Sequence, residues 1–211
     1  MPVNEKESSR EMLYQRDQYV KGGLGRTYWD YRDRTTLSLL GETDRKIADI
    51  GCGEGITLGK ITAAFPANEV MGVDFMDENI DICRKYGLTV SQGSVYDMDM
   101  PDNSLDAALF MEVIEHLEEP EAALTELYRV IKPGGKIILV FPNDAMFKIA
   151  RIMTLRFREA SYDPGHLQQW TPGKASAILR NVGFSVFYVK SIPFYVWPLS
   201  LHCIMGARKP V

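Results

Sequence analysis

Three glycines at alternate positions follow a short apolar run in Ile47-Ala48-Asp49-Ile50-Gly51-Cys52-Gly53-Glu54-Gly55. Glycine removes the Cβ wherever a ligand must approach the backbone closely. A dinucleotide fingerprint would carry glycine at position 56, where Ile56 stands, so the spacing suits a nucleoside ligand without a pyrophosphate. Asp74 ends the next apolar run, 23 residues beyond Gly51. A carboxylate there can accept from both hydroxyls of a ribose. The plainer readings are a simple tight turn and an Asp that caps the following helix, for which Asp77 is better placed. Further on, His116 and His166 are groups that can take a proton from an acceptor. His116 is also readable as a structural histidine, and His166 as a cap or hinge residue. Glu112 and Glu115 could be bases or metal ligands. No His/Asp/Glu cluster has the spacing expected of a metal site, so the expectation is a site without metal.

These groups need a scaffold to bring them together. Residues 1–40 are polar with scattered aromatics and read as one or two helices broken at Gly22-Gly23 and Gly25. Short apolar runs at 47–50, 69–73, 88–91, 105–111 and 136–141 read as strands. Helical spacing fills 56–65, 77–86 and 121–131, the last stopped at Lys132-Pro133-Gly134-Gly135. Alternating short buried strands and helices make a mostly parallel sheet with helices on both faces. Beyond it come helices at 145–158 and 172–181, separated by a loop over 162–171. Runs at 184–191 and 199–207 then read as an antiparallel strand pair. One domain, 1–211, accounts for the chain: a helical cap (1–40), a cofactor-binding core (45–142), a lid or substrate segment (143–182) and the terminal pair (183–211).

The runs IADIGCGEG, VMGVDF, FMEVIEHLEEP and LYRVIKPGGKIILVFPN resemble, in order and spacing, the motifs of class I S-adenosylmethionine-dependent methyltransferases. The texture is similar to the small-molecule group that includes the ubiquinone-biosynthesis O-methyltransferases. The resemblance implies a Rossmann-like, seven-stranded α/β sheet with its last strand inserted antiparallel, and S-adenosylmethionine as cofactor. It implies that Gly51, Cys52, Gly53 and Gly55 pass under the methionine part and that Asp49 sits near its amino group. Asp74 would hold the ribose, with Phe75 and Met76 flanking the adenine. Gly93-Ser94 stands where the family usually has Gly-Asp, so adenine recognition would fall to the Ser94 hydroxyl and the Val95 backbone. Met111 matches the position whose backbone lies beside the methionine moiety, and His166 lies in the element that faces the substrate.

The remaining features narrow the acceptor. Tyr19, Tyr28 and Trp29, with Arg32 nearby, read either as a cap that grips the cofactor carboxylate through Arg32 or as ordinary packing. At about 100° per residue, the stretch 145–158 is amphipathic with a basic face. Such a helix can lie on an anionic membrane or admit a greasy substrate; a lid packed on the sheet is the alternative. The aromatic run 192–198 reads as a loop between the last strands and part of an acceptor pocket. A net charge of −4 argues against a phosphate-backbone partner, and nothing like Asn/Asp-Pro-Pro-Tyr stands near Phe141-Pro142-Asn143. Cys52, Cys83 and Cys203 form neither a disulfide framework nor a zinc spacing, the N-terminus has no apolar core and no run of about 18 apolar residues occurs. The expectation is a cytoplasmic enzyme that moves a methyl group to a small hydrophobic acceptor, on oxygen before nitrogen or carbon. Two rivals stand: a silent cofactor-binding protein or partner subunit, and an aminopropyl transferase on the same fold.

Overall fold

The computed structural model describes residues 15–153 and 165–211. In chain order it shows α1 (Gln15–Lys21), α2 (Gly23–Leu37), β1 (Lys46–Ile50), α3 (Ile56–Ala64), β2 (Glu69–Asp74) and α4 (Asp77–Lys85). Next come β3 (Val90–Gln92), β4 (Leu105–Met111), a 3₁₀ turn at Ile114–His116, α5 (Pro120–Val130), β5 (Ile131–Pro142) and α6 (Asp144–Met153). The chain ends with α7 (Pro172–Val182), β6 (Ser185–Ile192), a 3₁₀ turn at Trp197–Leu199 and β7 (His202–Arg208).

The seven strands form one sheet in the order β3-β2-β1-β4-β5-β7-β6. β1 to β5 are parallel, and β7 lies antiparallel between β5 and β6. The central strands are buried on both faces, which is why their sequences are near-continuous apolar runs. Ala48, Ile50, Ala108, Phe110, Leu139 and Phe141 pack one way, with Leu124 and Leu127 of α5 and Leu179 of α7. Ile47, Ala107, Leu109, Ile138 and Val140 pack the other way, with Leu58 and Ile61 of α3 and Tyr31 of α2. Period-two alternation also sends Asp49 to the α2 and α3 side. The strand order reverses between β1 and β4, so the ligand crevice opens where Gly51 and Glu112 leave those strands.

Local chemistry sets the breaks. Gly22 takes φ 76 and separates α1 from α2, whereas Gly25 sits inside α2 and breaks nothing. Thr171 caps α7 by accepting from the Lys174 N–H at 3.2 Å, and Gly183 ends that helix at φ 112. The 132–135 run breaks the helix as expected, but β5 already begins at Ile131: Leu105 pairs with Ile131 and Ala107 with Lys136, so the intervening residues bulge out. β7 starts at His202 rather than at 199, because Pro198 lies in the 3₁₀ turn. The part of the 145–158 helix beyond Met153, and the start of the 162–171 loop, lie outside the described residues.

Candidate active site

The turn after β1 is held by its neighbours before any ligand arrives. The Val73 carbonyl accepts from the N–H of Gly51 at 2.7 Å and of Cys52 at 3.1 Å. Gly53 donates to Asp74 Oδ2 at 2.8 Å, and the Cys83 thiol donates to the Gly53 carbonyl at 3.3 Å. All three glycines have positive φ, at 73, 53 and 74. Their missing Cβ atoms serve different ends. A Cβ on Gly51 would lie 2.4 Å from Val113 Cγ2, and one on Gly55 would lie 2.5 Å from Leu88 Cδ1. Only Gly53 has open space, with Gln15 Oε1 its nearest neighbour at 3.8 Å. Thus two glycines make room for protein, and one leaves the approach a ligand needs.

Asp74 is buried at the end of β2. Oδ1 accepts from the Met76 N–H at 3.0 Å and from Asn79 Nδ2 at 3.1 Å, while Oδ2 holds Gly53. A carboxylate has about four lone-pair sites, so it keeps acceptor capacity for a hydroxyl. Asp77 is not the cap of α4. Met76 occupies that position, and Asp77 lies in the first turn. Phe75 is exposed and Met76 buried, so Phe75 offers an open ring to a flat base and Met76 packs inward. Ser94 Oγ accepts from the Tyr96 N–H at 3.2 Å, and Val95 packs on the core. Asp49 is buried; its surroundings, with Asp33 and Asp74 adding, push its carboxyl up to about 7. Beside the turn, Glu54 accepts from the backbone N–H of Gln15 at 3.0 Å and of Arg16 at 2.8 Å, which moors α1 there.

Arg32 and Tyr28 are tied into the protein itself. Arg32 is buried and donates to Asp33 Oδ1 at 2.9 Å and to Glu112 Oε1. Tyr28 bonds His202 Nδ1 at 2.7 Å, and His202 Nε2 bonds Glu112 Oε1 at 2.8 Å. Glu112, the first residue past β4, has φ 54, a costly conformation that these partners fix. Burial opposes its charge, but Arg32 and His202 outweigh that and hold the carboxyl well below the usual range. Burial lowers His202, so its imidazole is held neutral. Sequence reasoning missed His202. A single histidine at the head of an apolar strand carries no spacing signal.

The other two histidines meet. Their rings lie 4.8 Å apart, edge to face. His166 Nδ1 is 2.8 Å from Asp144 Oδ1, and His116 Nδ1 is 3.3 Å from the Gly165 carbonyl. Burial, then the neighbouring His166, lowers His116. Glu115 is buried beside them with no hydrogen-bond partner on either carboxylate oxygen, and burial raises its carboxyl well above the usual range. Its backbone carbonyl accepts from Leu167 at 2.9 Å and Gln168 at 3.2 Å, which brings the 165–168 segment alongside. One donor atom each from Glu115, His116 and His166 falls within 4.8 Å of the others. The expectation of no such cluster is therefore corrected: spacing could not show it, because His166 is far away in sequence. A carboxylate with two imidazoles is a donor set that can hold a divalent transition metal.

The comparisons with known proteins follow the same lines. Residues 48–139 match the family model for a methyltransferase domain. The chain is 26% identical over 171 residues to a probable S-adenosylmethionine-dependent methyltransferase of Mycolicibacterium smegmatis, covering 79% of this chain and 63% of that one. It is 30% identical over 162 residues to a mitochondrial ubiquinone biosynthesis O-methyltransferase of Schizosaccharomyces pombe, covering 64% of this chain and 57% of the relative. It thus spans less than two thirds of either relative's length. A solved S-adenosylmethionine-dependent methyltransferase from Thermotoga maritima superposes with a TM-score of 0.70 at 21% identity, covering 93% of this chain and 98% of that one. No helix among the described residues is long and apolar enough to cross a membrane. An open glycine, a carboxylate with acceptor capacity to spare and an exposed ring all lie within the 48–139 stretch that matches the methyltransferase-domain model, and the relatives and solved structures it is similar to include S-adenosylmethionine-dependent methyltransferases.

Proposed function

We propose that this protein methylates a small hydrophobic acceptor, on oxygen in preference to nitrogen or carbon. The observation that carries the oxygen reading is the His116–His166 pair, held by Asp144 and Gly165 at the carboxyl end of the sheet. When bound, S-adenosylmethionine supplies a methyl group already activated on its sulfonium. What the chain must then add is alignment, and a base for an acceptor that carries a proton. His166 Nδ1 is placed to donate to Asp144 Oδ1, a hydrogen bond that leaves Nε2 as the acceptor. His116, held neutral, can pass the proton on. Gly53 and Asp74 seat the nucleoside, and Glu54 holds α1 beside the turn. A greasy acceptor is drawn from a bilayer, and the basic stretch 145–158 suits such a surface.

Calorimetric titration with S-adenosylmethionine, S-adenosylhomocysteine and NAD tests the cofactor half. Micromolar binding of the first two and none of the third is expected, whereas no adenosyl binding would overturn the reading. An acceptor screen beginning with quinols and lipid-linked phenols tests the other half. Turnover confined to amines or carbon acids would move the methylated atom off oxygen.

A further inference from the structure

Four buried carboxylates of this protein are well partnered. Asp33 accepts from Arg32 and Lys60, Asp44 from Lys136 and the Gly41 N–H, Glu54 from two backbone N–H groups and Asp74 from Gly53, Met76 and Asn79. Glu115 breaks the pattern. It is 1% exposed, and among the described residues no other carboxylate oxygen is buried without a hydrogen-bond partner. Glu112 and Asp144 add negative charge around it, more than Arg32 offsets. A carboxylate taken out of water and left unpaired is costly, so the place calls for a cation.

Two imidazoles complete the set. Glu115 and His116 stand on the 3₁₀ turn after β4, and the Glu115 carbonyl draws in the 165–168 segment through the N–H groups of Leu167 and Gln168. Gln168 Nε2 also donates to the Leu117 carbonyl at 3.2 Å. The donor atoms of Glu115, His116 and His166 thereby come within 4.8 Å of one another. Ligands of a tetrahedral zinc ion stand about 3.3 Å apart, so small side-chain rotations close the set. One nitrogen of each ring is already engaged: His166 Nδ1 with Asp144 Oδ1 at 2.8 Å, and His116 Nδ1 with the Gly165 carbonyl at 3.3 Å. A carboxylate or a backbone carbonyl on the far ring nitrogen is the outer partner that orients a metal-bound histidine. Both bonds leave Nε2 for an ion. The two rings are half-buried, which gives the ion a way in and an open side.

We propose that Glu115, His116 and His166 form a binding site for a divalent transition-metal ion, with Asp144 and Gly165 orienting the two imidazoles. Two nitrogens beside one carboxylate favour such an ion over magnesium, which takes oxygen ligands in an octahedron. Three protein donors leave a fourth position open, as in sites where a metal takes a substrate oxygen. Ion binding stands without the proposed reaction; only its use there rests on that reading. A hydroxyl acceptor on the open position gives up its proton to water more readily. Its oxygen then takes the methyl group as the sulfur–carbon bond breaks, and the sulfonium leaves as a neutral thioether. In the loaded protein the two Nε2 lone pairs hold the ion instead of a proton. The acceptor meets this site rather than a pocket in the 192–198 run, an expectation that fails because Phe194, Tyr195, Val196 and Leu199 face solvent.

The test is calorimetric titration of the chelator-stripped full chain with zinc, one ion per chain at about micromolar affinity or tighter being expected. Glu115→Gln and His166→Ala should each weaken that binding about a hundredfold or more, and Asp144→Ala about tenfold through the orientation of His166. The thermal midpoint and S-adenosylhomocysteine binding separate loss of a ligand from loss of the fold. His166 lies outside the helices and strands, so its variant reads the site even where Glu115→Gln unfolds. Cobalt in place of zinc should give visible d–d bands without a near-ultraviolet thiolate band, and Cys83→Ser should leave zinc binding unchanged. No zinc binding by the wild type would overturn the proposal, as would wild-type affinity in the folded His166 variant. Loss in Cys83→Ser alone would place the ion on the buried thiols of Cys52 and Cys83 and overturn it too. None of these readouts needs turnover, so a failed acceptor screen leaves the site standing, and a failed zinc titration leaves the histidine pair as the base.

Discussion

The two halves of the crevice are built in opposite ways. The cofactor side is local: Gly51, Gly53 and Asp74 lie within one strand–helix–strand unit, joined by backbone hydrogen bonds and one carboxylate. The other side, where the Glu112 network and the histidine pair proposed to face the acceptor lie, is assembled over distance. Glu112 receives Arg32 from 80 residues away and His202 from 90, while Tyr28 reaches His202 across 174. A local motif tolerates loss of one partner because the backbone still closes the turn. A buried charged network does not, because each partner removed strands another charge in low dielectric.

Arg32→Ala is therefore the largest test of the comparison. It takes the buried guanidinium from Asp33, which keeps Lys60 at 2.6 Å, and from the part-exposed Glu112, which keeps His202, so the cost is about 2–3 kcal/mol, below that of breaking a fully buried pair. Urea unfolding should show the free energy lowered by that amount, through a lower midpoint with the slope unchanged. A loss below about 1 kcal/mol would mean that water replaces the guanidinium and that α2 is not anchored through it. His166→Ala comes next. Loss of a positioned base lowers turnover by about 10²-fold or more, with adenosyl affinity unchanged. If turnover persists, the proton leaves by another route, such as a metal held by Glu115 and His116. Added zinc or a chelator would then separate the two cases.

On the cofactor side, Asp74→Ala should weaken adenosyl binding by at least ~2 kcal/mol, read by calorimetry. Asp74→Asn should lose less, because an amide oxygen can still accept from Gly53. Equal affinity in all three proteins would remove the ribose from Asp74 and leave it as the staple of the turn.

How far the molecule can be read from its sequence follows the same division. The five parallel strands, the glycine turn and the helix stops stand out because each is written in adjacent residues. Thr171-Pro172 and Gly183, for example, bracket α7. The sheet was legible for that reason, down to its antiparallel end. The acceptor side was legible in residue type only. Glu112, Glu115, His116 and His166 are conspicuous as chemistry, but their partners are not. Nothing in spacing pairs His166 with Asp144 or His202 with Tyr28, since those meetings depend on how β4, β5 and β7 align. Even in the local half, Asp77 gave up the capping position because Asp74 already accepts from the Met76 N–H.

Titratable groups in both halves should also answer acid, Asp49 and Glu115 with one sign and the histidines with the other. Asp49 on the cofactor side has a folded value pushed up to about 7, above its ordinary value of 3.8. Between those limits the folded chain binds the extra proton, so this group adds stability as pH falls from about 7 toward 4. His116 and His202 are lowered by burial from 6.5. Below about 6.5 the unfolded chain takes up protons that the folded one refuses, so these groups remove stability over the same descent. Each contributes at most about 1.4 kcal/mol per pH unit, so in the wild type Asp49 cancels part of the slope of the two histidines. Asp49→Asn should expose the histidine slope, losing stability faster than wild type between pH 7 and 5. His202→Gln should do the reverse. Parallel stability curves for all three proteins would mean that neither group titrates on unfolding.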